Sequence, residues 1–230
     1  MKPIVLALFN RTSYAVQPWL DAGISCVSCD TQHGWYWGDE TMASGASHYR
    51  TRYPADSGAL RGMLALKGLR VALVIAFPPC NDLSVAGAKH FAAKAAENPN
   101  FQHDAAILAQ CALAWGAPYH IENPVSRLST LWRKPDLWWN PCDYAGYCPE
   151  GPHPEYPELY PEQDRYNKKT GSWVGNGFVL PPKKRLEPLE IANPGWAKLG
   201  GKSLATKNKR AATPRGWARA VYEANKHHLV

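Results

Sequence analysis

The sequence predicts an α/β protein with a doubly wound, mostly parallel sheet and helices on both faces. Its opening unit is β-α-β: an apolar run over Ile4–Phe9, a helical stretch, and a second short apolar run over Ile24–Cys29. The uninterrupted apolar run Val71–Phe77 is typical of a strand buried on both faces, and Tyr119–Ile121 predicts a further strand. A chain of 230 residues is long enough for one well-buried domain.

The remaining elements of the first half follow from local composition. A polar turn at Asn10–Ser13 precedes a helix that we expect to end at about Ala22. Thr31–Tyr53 is rich in Gly, Ser, Trp and Tyr, which favours a loop with one short helix. Leu60–Leu66 is predicted to be helical.

In the second half, a loop is expected after Pro79, followed by a helix over Asp104–Trp115. We expect the apolar side chains of that helix to pack on the sheet: Ile107, Leu108, Cys111, Leu113 and Ala114. The Pro-rich stretch Cys148–Asp164 predicts an irregular insertion. Pro214–Asn225 predicts a closing helix with Thr213 as its N-cap.

The net charge of +7 is unevenly distributed along the chain. The part from Arg165 onward carries +11, whereas the preceding residues carry −4. A basic region of this kind favours a polyanionic partner such as nucleic acid, and a solvated basic surface explains it equally well. The sequence contains no long apolar run and no leader with a cleavage site, so we expect a soluble cytoplasmic protein without a membrane partner.

Two of the apolar runs end in reactive side chains. Val71–Phe77 runs into Pro78-Pro79-Cys80, and Tyr119–Ile121 runs into Glu122. Ligands of open α/β sheets bind outside the carboxyl ends of the strands, so we expect this thiol and this carboxyl to face one pocket. Either residue alone is more often structural than catalytic, and the pair is what indicates a nucleophile with an acid partner.

Taken together, these segments resemble the DNA (cytosine-5)-methyltransferases. The core matches, in the order in which that family has them, are Leu6-Ala7-Leu8-Phe9, Asp30, Phe77-Pro78-Pro79-Cys80-Asn81-Asp82-Leu83-Ser84 and Ile121-Glu122-Asn123-Pro124. Two weaker matches follow, a basic motif over Tyr166–Trp173 and the closing helix over Ala211–Asn225. The resemblance implies a Rossmann-like S-adenosylmethionine-dependent methyltransferase fold. It divides the chain into a catalytic core (1–165, with an insertion at about 141–165), a small basic DNA-contact region (166–210) and a returning helix (211–230).

The resemblance implies a covalent mechanism on a cytosine flipped out of duplex DNA. Cys80 would add to C6 of the base, Glu122 would support N3 and the exocyclic amine, and water would remove the C5 proton. Asn123 belongs to the same motif, and Arg127 would hold a phosphate or the base edge. The implied DNA contacts are Ser84, Lys168, Lys169 and Thr170. Solvated surface charge is an equally good interpretation of Arg127 and the two lysines.

The methyl donor S-adenosylmethionine is the implied cofactor. Asp30 would bond its ribose hydroxyls, Phe9 would pack near the adenine, and Asp56 would reach the adenine amino group. The implied donor site consists of Phe9, Asn10, Arg11, Thr12, Asp30, Asp56 and Pro78. The loop after Phe9 has none of the three glycines that the family has there, and it carries Arg11 instead. One hypothesis is therefore a carboxylated S-adenosylmethionine, which would make the reaction a carboxymethylation.

The region between the basic motif and the closing helix is short, about Val174–Arg210, which predicts weak or very short sequence preference. Two other functions stay open: modification of a free cytosine nucleotide, and a non-catalytic nucleic-acid-binding relative. No metal site is predicted, because Cys26 and Cys29 lie three apart in a strand and therefore on opposite faces, and because Cys142, Cys148 and His153 have no fourth ligand at a suitable spacing. The compact chain is also typical of a bacteriophage enzyme.

Overall fold

The computed structural model describes residues 1–34, 38–52, 58–189 and 203–229. The predicted fold class is confirmed: one eight-stranded, mostly parallel sheet has helices on both faces. The strands are β1 Lys2–Leu8, β2 Cys26–Cys29, β3 Gly38–Thr41, β4 Ser47–Thr51, β5 Leu69–Ala76, β6 Tyr119–Pro124, β7 Leu137–Trp139 and β8 Thr170–Gly175. The α-helices are α1 Gln17–Asp21, α2 Gly58–Leu66, α3 Phe91–Glu97, α4 Phe101–Ala109, α5 Leu128–Leu131, α6 Leu204–Arg210 and α7 Arg215–Asn225. Short 3-10 helices cover Val85–His90, Gln110–Trp115, Pro141–Tyr147, Glu162–Asp164 and Lys226–Leu229.

The strand order is β3-β4-β2-β1-β5-β6-β8-β7. Five neighbouring strands are parallel: β4, β2, β1, β5 and β6. β8 runs antiparallel between β6 and β7, and β3 pairs antiparallel with β4 at the other edge. Without that edge strand, this is the strand order of the Rossmann-like methyltransferase fold. Since β8 is antiparallel, its first residues lie at the same edge of the sheet as the last residues of the parallel strands.

Alternation along β1 creates the two apolar layers of the core. Ile4 and Leu6 face the side that carries α2 and α4, whereas Val5 and Ala7 face the side that carries α1 and α7. Burial on both faces explains why Ile4–Leu8 of β1 and Val71–Ala76 of β5 are uninterrupted apolar runs. The irregular insertion over Cys148–Asp164 is confirmed as well, since it contains one 3-10 turn and no strand.

The expectation of a loop over Thr31–Tyr53 is wrong for most of the described part. Residues 38–51 form the β3–β4 hairpin, and β4 pairs in parallel with β2. The strand was not evident from the sequence because its buried positions include the polar His48, which bonds Ser28 Oγ at 3.0 Å. A polar residue satisfied across strands hides the apolar alternation on which strand prediction depends.

Two further expectations need correction. The chain after Pro79 is not only a loop, because a 3-10 helix and α3 follow it. The predicted apolar face of the helix after residue 104 is mostly wrong: Ile107, Leu108 and Leu113 are exposed, and Ala106 and Ala109 pack on the core instead. The small alanines allow this helix to lie close to the sheet, which turns the larger side chains outward.

The closing helix α7 begins one residue later than predicted, with Pro214 and not Thr213 at the N-cap position. Trp217 and Val221 lie in the apolar cluster that contains Val5 and Ala7, so the helix returns to the first strand. Gly216 allows a close approach, because a Cβ at this position would lie 2.4 Å from the carbonyl oxygen of Tyr144. No helix in the described ranges combines the length and apolarity needed to span a bilayer.

Candidate active site

The sheet register brings the predicted site residues to one edge. Leu8 pairs with Cys29 on one side and with Ala76 on the other, and Ala76 pairs with Ile121. The next residues along the four strands are Phe9, Asp30, Phe77 and Glu122. We refer to this row as the carboxyl edge. Glu122 lies within β6, because that strand continues to Pro124 where it pairs with β8.

The loop that carries Cys80 is tied to the segment after β6. Asn123 is fully buried, and its Nδ2 donates to the carbonyl oxygen of Pro78 at 3.3 Å. The loop is closed by a turn in which the amide of Ser84 donates to Cys80 O at 2.7 Å, and the amide of Arg127 donates to Leu83 O at 2.8 Å. These bonds fix Cys80 beside the end of β6.

Cys80, Glu122 and Lys168 form an electrostatically coupled group. Burial raises the pKa of the Cys80 thiol; the Lys168 ammonium lowers it and the Glu122 carboxyl raises it. Burial likewise raises the pKa of Glu122, and Lys168 opposes that rise. A half-buried thiol thus lies near a carboxyl that holds its proton at higher pH than an ordinary glutamate does. The Lys168 ammonium opposes the effect of burial on both groups without cancelling it. Such a group can supply a nucleophile and a proton donor at one place.

Lys168 is held by a helix from the far end of the chain. Its Nζ donates to the carbonyl oxygen of Arg210, the last residue of α6, at 3.3 Å. The start of β8 and the end of α6 therefore meet next to Cys80 and Glu122. Arg127, the other predicted cation, is exposed after β6.

The end of β2 presents a carboxylate. Asp30 Oδ1 accepts from the amide of Gln32 at 2.8 Å, which orients the side chain in an Asx turn. Its Oδ2 has no hydrogen bond with a described residue, so it is available to a hydroxyl. Pro78 is buried and Phe9 half-buried at the same edge. Their contacts to the ribose and adenine of a nucleoside donor stay a prediction. Asp56 lies outside the described residues.

The loop after β1 takes left-handed backbone without glycine. Phe9 has φ of 56° and Ser13 has φ of 63°, the region that glycine adopts most easily. Asn10 is buried below this loop, where its Oδ1 accepts from Ser28 Oγ at 3.3 Å and its carbonyl oxygen lies 3.0 Å from His33 Nε2. The missing glycines are thus replaced by strained residues that a buried amide holds in place.

Arg11 and Thr12 follow this buried anchor. Arg11 is exposed and Thr12 is half-buried. Arg11 lies close enough to Tyr156 to oppose the rise in the pKa of that hydroxyl, which burial causes. The Arg11 cation therefore borders both the carboxyl edge and the irregular insertion.

The predicted DNA contacts differ in accessibility. Lys169 is exposed, with its Nζ 5.2 Å from the ring centroid of Trp138. Thr170 is buried and donates to Lys168 O at 2.9 Å. Ser84 Oγ accepts from the amide of Ala86 at 3.3 Å and caps the following 3-10 helix.

The cysteines away from the edge occupy buried positions. Cys26 and Cys29 lie in opposite apolar layers, as the spacing predicted. Cys148 donates to Asp164 Oδ2 at 3.5 Å. Within the described ranges, no three His, Cys, Asp or Glu side chains converge as metal ligands would.

Sequence reasoning missed the part played by α6 and by Tyr166. Asn208 of α6 exchanges two hydrogen bonds with Gln32, at 3.0 and 2.8 Å, which ties the helix to the turn after Asp30. Tyr166 is buried near Glu122. Its pKa is raised mainly by burial and to a smaller extent by nearby acids. The basic motif included Tyr166, but no local pattern marks the contacts that it and α6 make, because their partners are distant in the chain.

Comparison with known proteins leaves the family open. No protein-family model matches the chain, and no curated protein matches its sequence. Among solved structures, the chain is similar to one described as a proposed DNA modification methyltransferase encoded within a prophage of E. coli, with a TM-score of 0.39 and 11% identity. The match covers 76% of this chain and 46% of that one, so this chain spans less than half of its length. A likeness of this size assigns no activity, and function is inferred from the carboxyl edge.

Proposed function

We propose that the chain is an S-adenosylmethionine-dependent transferase that modifies C5 of cytosine in DNA. The supporting observation is the coupled group at the carboxyl edge: the half-buried Cys80 thiol, the Glu122 carboxyl and the Lys168 ammonium. Cytosine C5 does not react with a methyl donor until a nucleophile has added at C6. A thiol beside a carboxyl that retains its proton suits that requirement.

In the proposed reaction, Cys80 gives its proton to water and its Sγ forms a bond to C6. Glu122 donates a hydrogen bond or its proton at N3, which takes up the negative charge that the addition places on the ring. C5 then becomes nucleophilic and would bond the transferred carbon as its bond to the donor sulfur breaks, so that the donor leaves as a neutral thioether. Water removes the C5 proton, the C6–Sγ bond breaks, Cys80 leaves as thiolate, and N3 returns to Glu122 any proton that it received.

The donor supplies an electrophilic carbon bound to a sulfonium. Asp30 would hold its ribose hydroxyls, and Phe9 and Pro78 would line its adenine. Asn10, Arg11 and Thr12 would face its amino-acid end. Burial raises the pKa of Cys80 in the free protein although Lys168 opposes the rise, so we expect the thiolate to form only when the base is bound.

Two alternatives keep the same machinery. Arg11, an exposed cation at the edge, favours a donor with an extra carboxylate, which would yield carboxymethylcytosine. Mass spectrometry of modified DNA separates the two outcomes by the increment on cytosine. The other alternative is a free cytosine nucleotide as acceptor.

Covalent trapping tests the proposal. Duplex DNA with 5-fluorocytosine, incubated with S-adenosylmethionine, should give an adduct stable to denaturing electrophoresis, because C5 then holds fluorine and the transferred carbon and has no proton to lose in the final elimination. Cys80→Ser should abolish the adduct. Cys142→Ser is the matched control, since this thiol bonds Asn167 Oδ1 at 3.3 Å and a serine keeps that donor.

An adduct that persists in Cys80→Ser, or no adduct with wild-type protein and DNA, would overturn the proposal. An adduct with the nucleotide alone would favour the free nucleotide as substrate. Binding of DNA without any adduct would favour a non-catalytic nucleic-acid-binding protein.

A further inference from the structure

Helix α6 lies across the carboxyl edge. At one end of the edge, Asn208 pairs with Gln32 in the turn after Asp30. At the other, the Arg210 carbonyl accepts from Lys168, just before β8. A third attachment comes from the insertion, where the Tyr160 hydroxyl donates to Lys209 O. α6 is thus fixed over the donor side and the acceptor side of the site at once.

The four cations along this edge form no ion pair with a described residue, and of the four only Lys168 lies near a carboxyl, that of Glu122. Arg11, Lys169 and Lys207 are exposed and Lys168 is half-buried. Cations that follow one edge without ion-paired acids raise the local positive potential. We call these four residues the cation strip.

The basic run at residues 183–185 is different. Lys183 and Arg185 bond Asp143 at 3.0 and 2.8 Å, and Lys184 lies 4.2 Å from the ring centroid of Tyr147. This run lies on an extended segment that bonds back to the 3-10 helix Pro141–Tyr147. Its charge is partly neutralised and serves to hold that segment.

The cation strip is longer than one nucleotide. Arg11 follows β1 and Lys169 precedes β8, three strand positions away in the sheet. Neighbouring strands lie roughly 4.8 Å apart, which gives a strip of about 14 Å. One DNA strand carries a phosphate about every 3.4 Å along the helix axis, so a strip of this length matches several consecutive phosphates.

We propose that the cation strip binds consecutive backbone phosphates of the strand that carries the target cytosine, with α6 as its support. This inference rests on the proposed function and deepens it, because it makes polymeric DNA and not a free nucleotide the substrate. It also locates the DNA contact on α6 and the start of β8, and not on the basic run at 183–185.

The salt dependence of DNA binding tests the strip. Affinity for a short duplex is measured at several salt concentrations for the wild-type protein, the Lys169→Ala/Lys207→Ala double variant and the control Lys184→Ala. Log K falls as log salt rises, and each lost phosphate contact makes this slope less steep by about 1. The slope of the double variant should therefore be less steep by about 2, and the variant should bind DNA more weakly. Lys184→Ala should keep the wild-type slope. Circular dichroism establishes that each variant is folded.

An unchanged slope in the double variant, an equal loss in Lys184→Ala, or no duplex binding by the wild-type protein would each overturn the inference. Its failure is separable from that of the proposed function. If the wild-type protein forms the adduct but the double variant keeps the wild-type slope, only the role of the cation strip is contradicted. If the double variant has a reduced slope but the wild-type protein forms no adduct, only the cytosine chemistry is contradicted.

Discussion

At the residue scale, the feature that organises the site is the bond from Asn123 to Pro78. The four strand ends were evident from the sequence, because each apolar run stops at Phe9, Asp30, Phe77 or Glu122. The hydrogen bond that fixes the Cys80 loop was not evident from the sequence, because Asn123 and Pro78 lie 45 positions apart. Local pattern marks where a strand stops, whereas a contact between two strand ends depends on sheet order.

Asn123→Ala removes the donor to the Pro78 carbonyl. We expect a loss of about 1 to 3 kcal/mol in the free energy of unfolding, because a buried acceptor loses its partner. We also expect a fall in kcat of roughly 10- to 100-fold, because the thiol is held less well. Urea unfolding and single-turnover transfer measure the two effects.

Asn176→Ala is the control for that variant. Asn176 Nδ2 donates to Ala117 O at 3.2 Å at the opposite edge of the sheet. Its removal should lower stability and leave the kcat of the folded protein unchanged. An equal loss of kcat in both variants would contradict a local role for Asn123.

At the element scale, α4 shows how side-chain size decides which face of a helix is buried. The apolar spacing correctly predicted a helix, and it assigned the wrong face. Ala106 and Ala109 are buried, whereas Ile107 is 69% exposed. Since alanine and isoleucine both count as apolar in a periodicity, the pattern does not show which one faces a closely packed sheet.

This assignment predicts opposite responses at two nearby positions of α4. Ile107→Lys should change the free energy of unfolding by no more than about 0.5 kcal/mol, as an exposed substitution does. Ala109→Lys should prevent folding or cost several kcal/mol, because it would bury a charge against the core. Urea unfolding of both variants gives the comparison. A large loss of unfolding free energy in Ile107→Lys would contradict this assignment and support the buried face that the sequence predicted.

At the scale of the whole molecule, buried histidines set the acid limit of stability. Burial lowers the pKa of His48 and His153 to about 4 and that of His120 to about 3. His120 Nε2 lies 2.8 Å from Ser172 Oγ, which also accepts from Trp139 Nε1 at 2.9 Å, so the buried ring has no acidic partner among these contacts. Raised pKa values at Glu122 and Asp164, both caused first by burial, act in the opposite direction.

Stability should therefore fall as the pH falls. Below about pH 6.5 the unfolded histidines take up protons that the folded ones do not, at a cost of about 1.4 kcal/mol per pH unit for each ring. From pH 7 to pH 5 we expect the free energy of unfolding to drop by about 2 to 5 kcal/mol after the partial offset by the two acids. Urea titrations at the two pH values measure it.

The exposed His103 provides the control, since His103→Gln should keep the whole pH dependence. Equal or greater stability of the wild-type protein at pH 5 would contradict the prediction.

The sequence by itself determined the sheet class, the strand ends and the residue types at the carboxyl edge, because apolar runs and the residues that stop them are local properties. Only the tertiary structure decided which distant groups complete the site. It added the β3–β4 hairpin, joined Asn123 to Pro78, and brought Lys168 and α6 next to Cys80. These contacts join segments far apart in the chain, and their geometry follows from strand order and close packing, which no local pattern encodes.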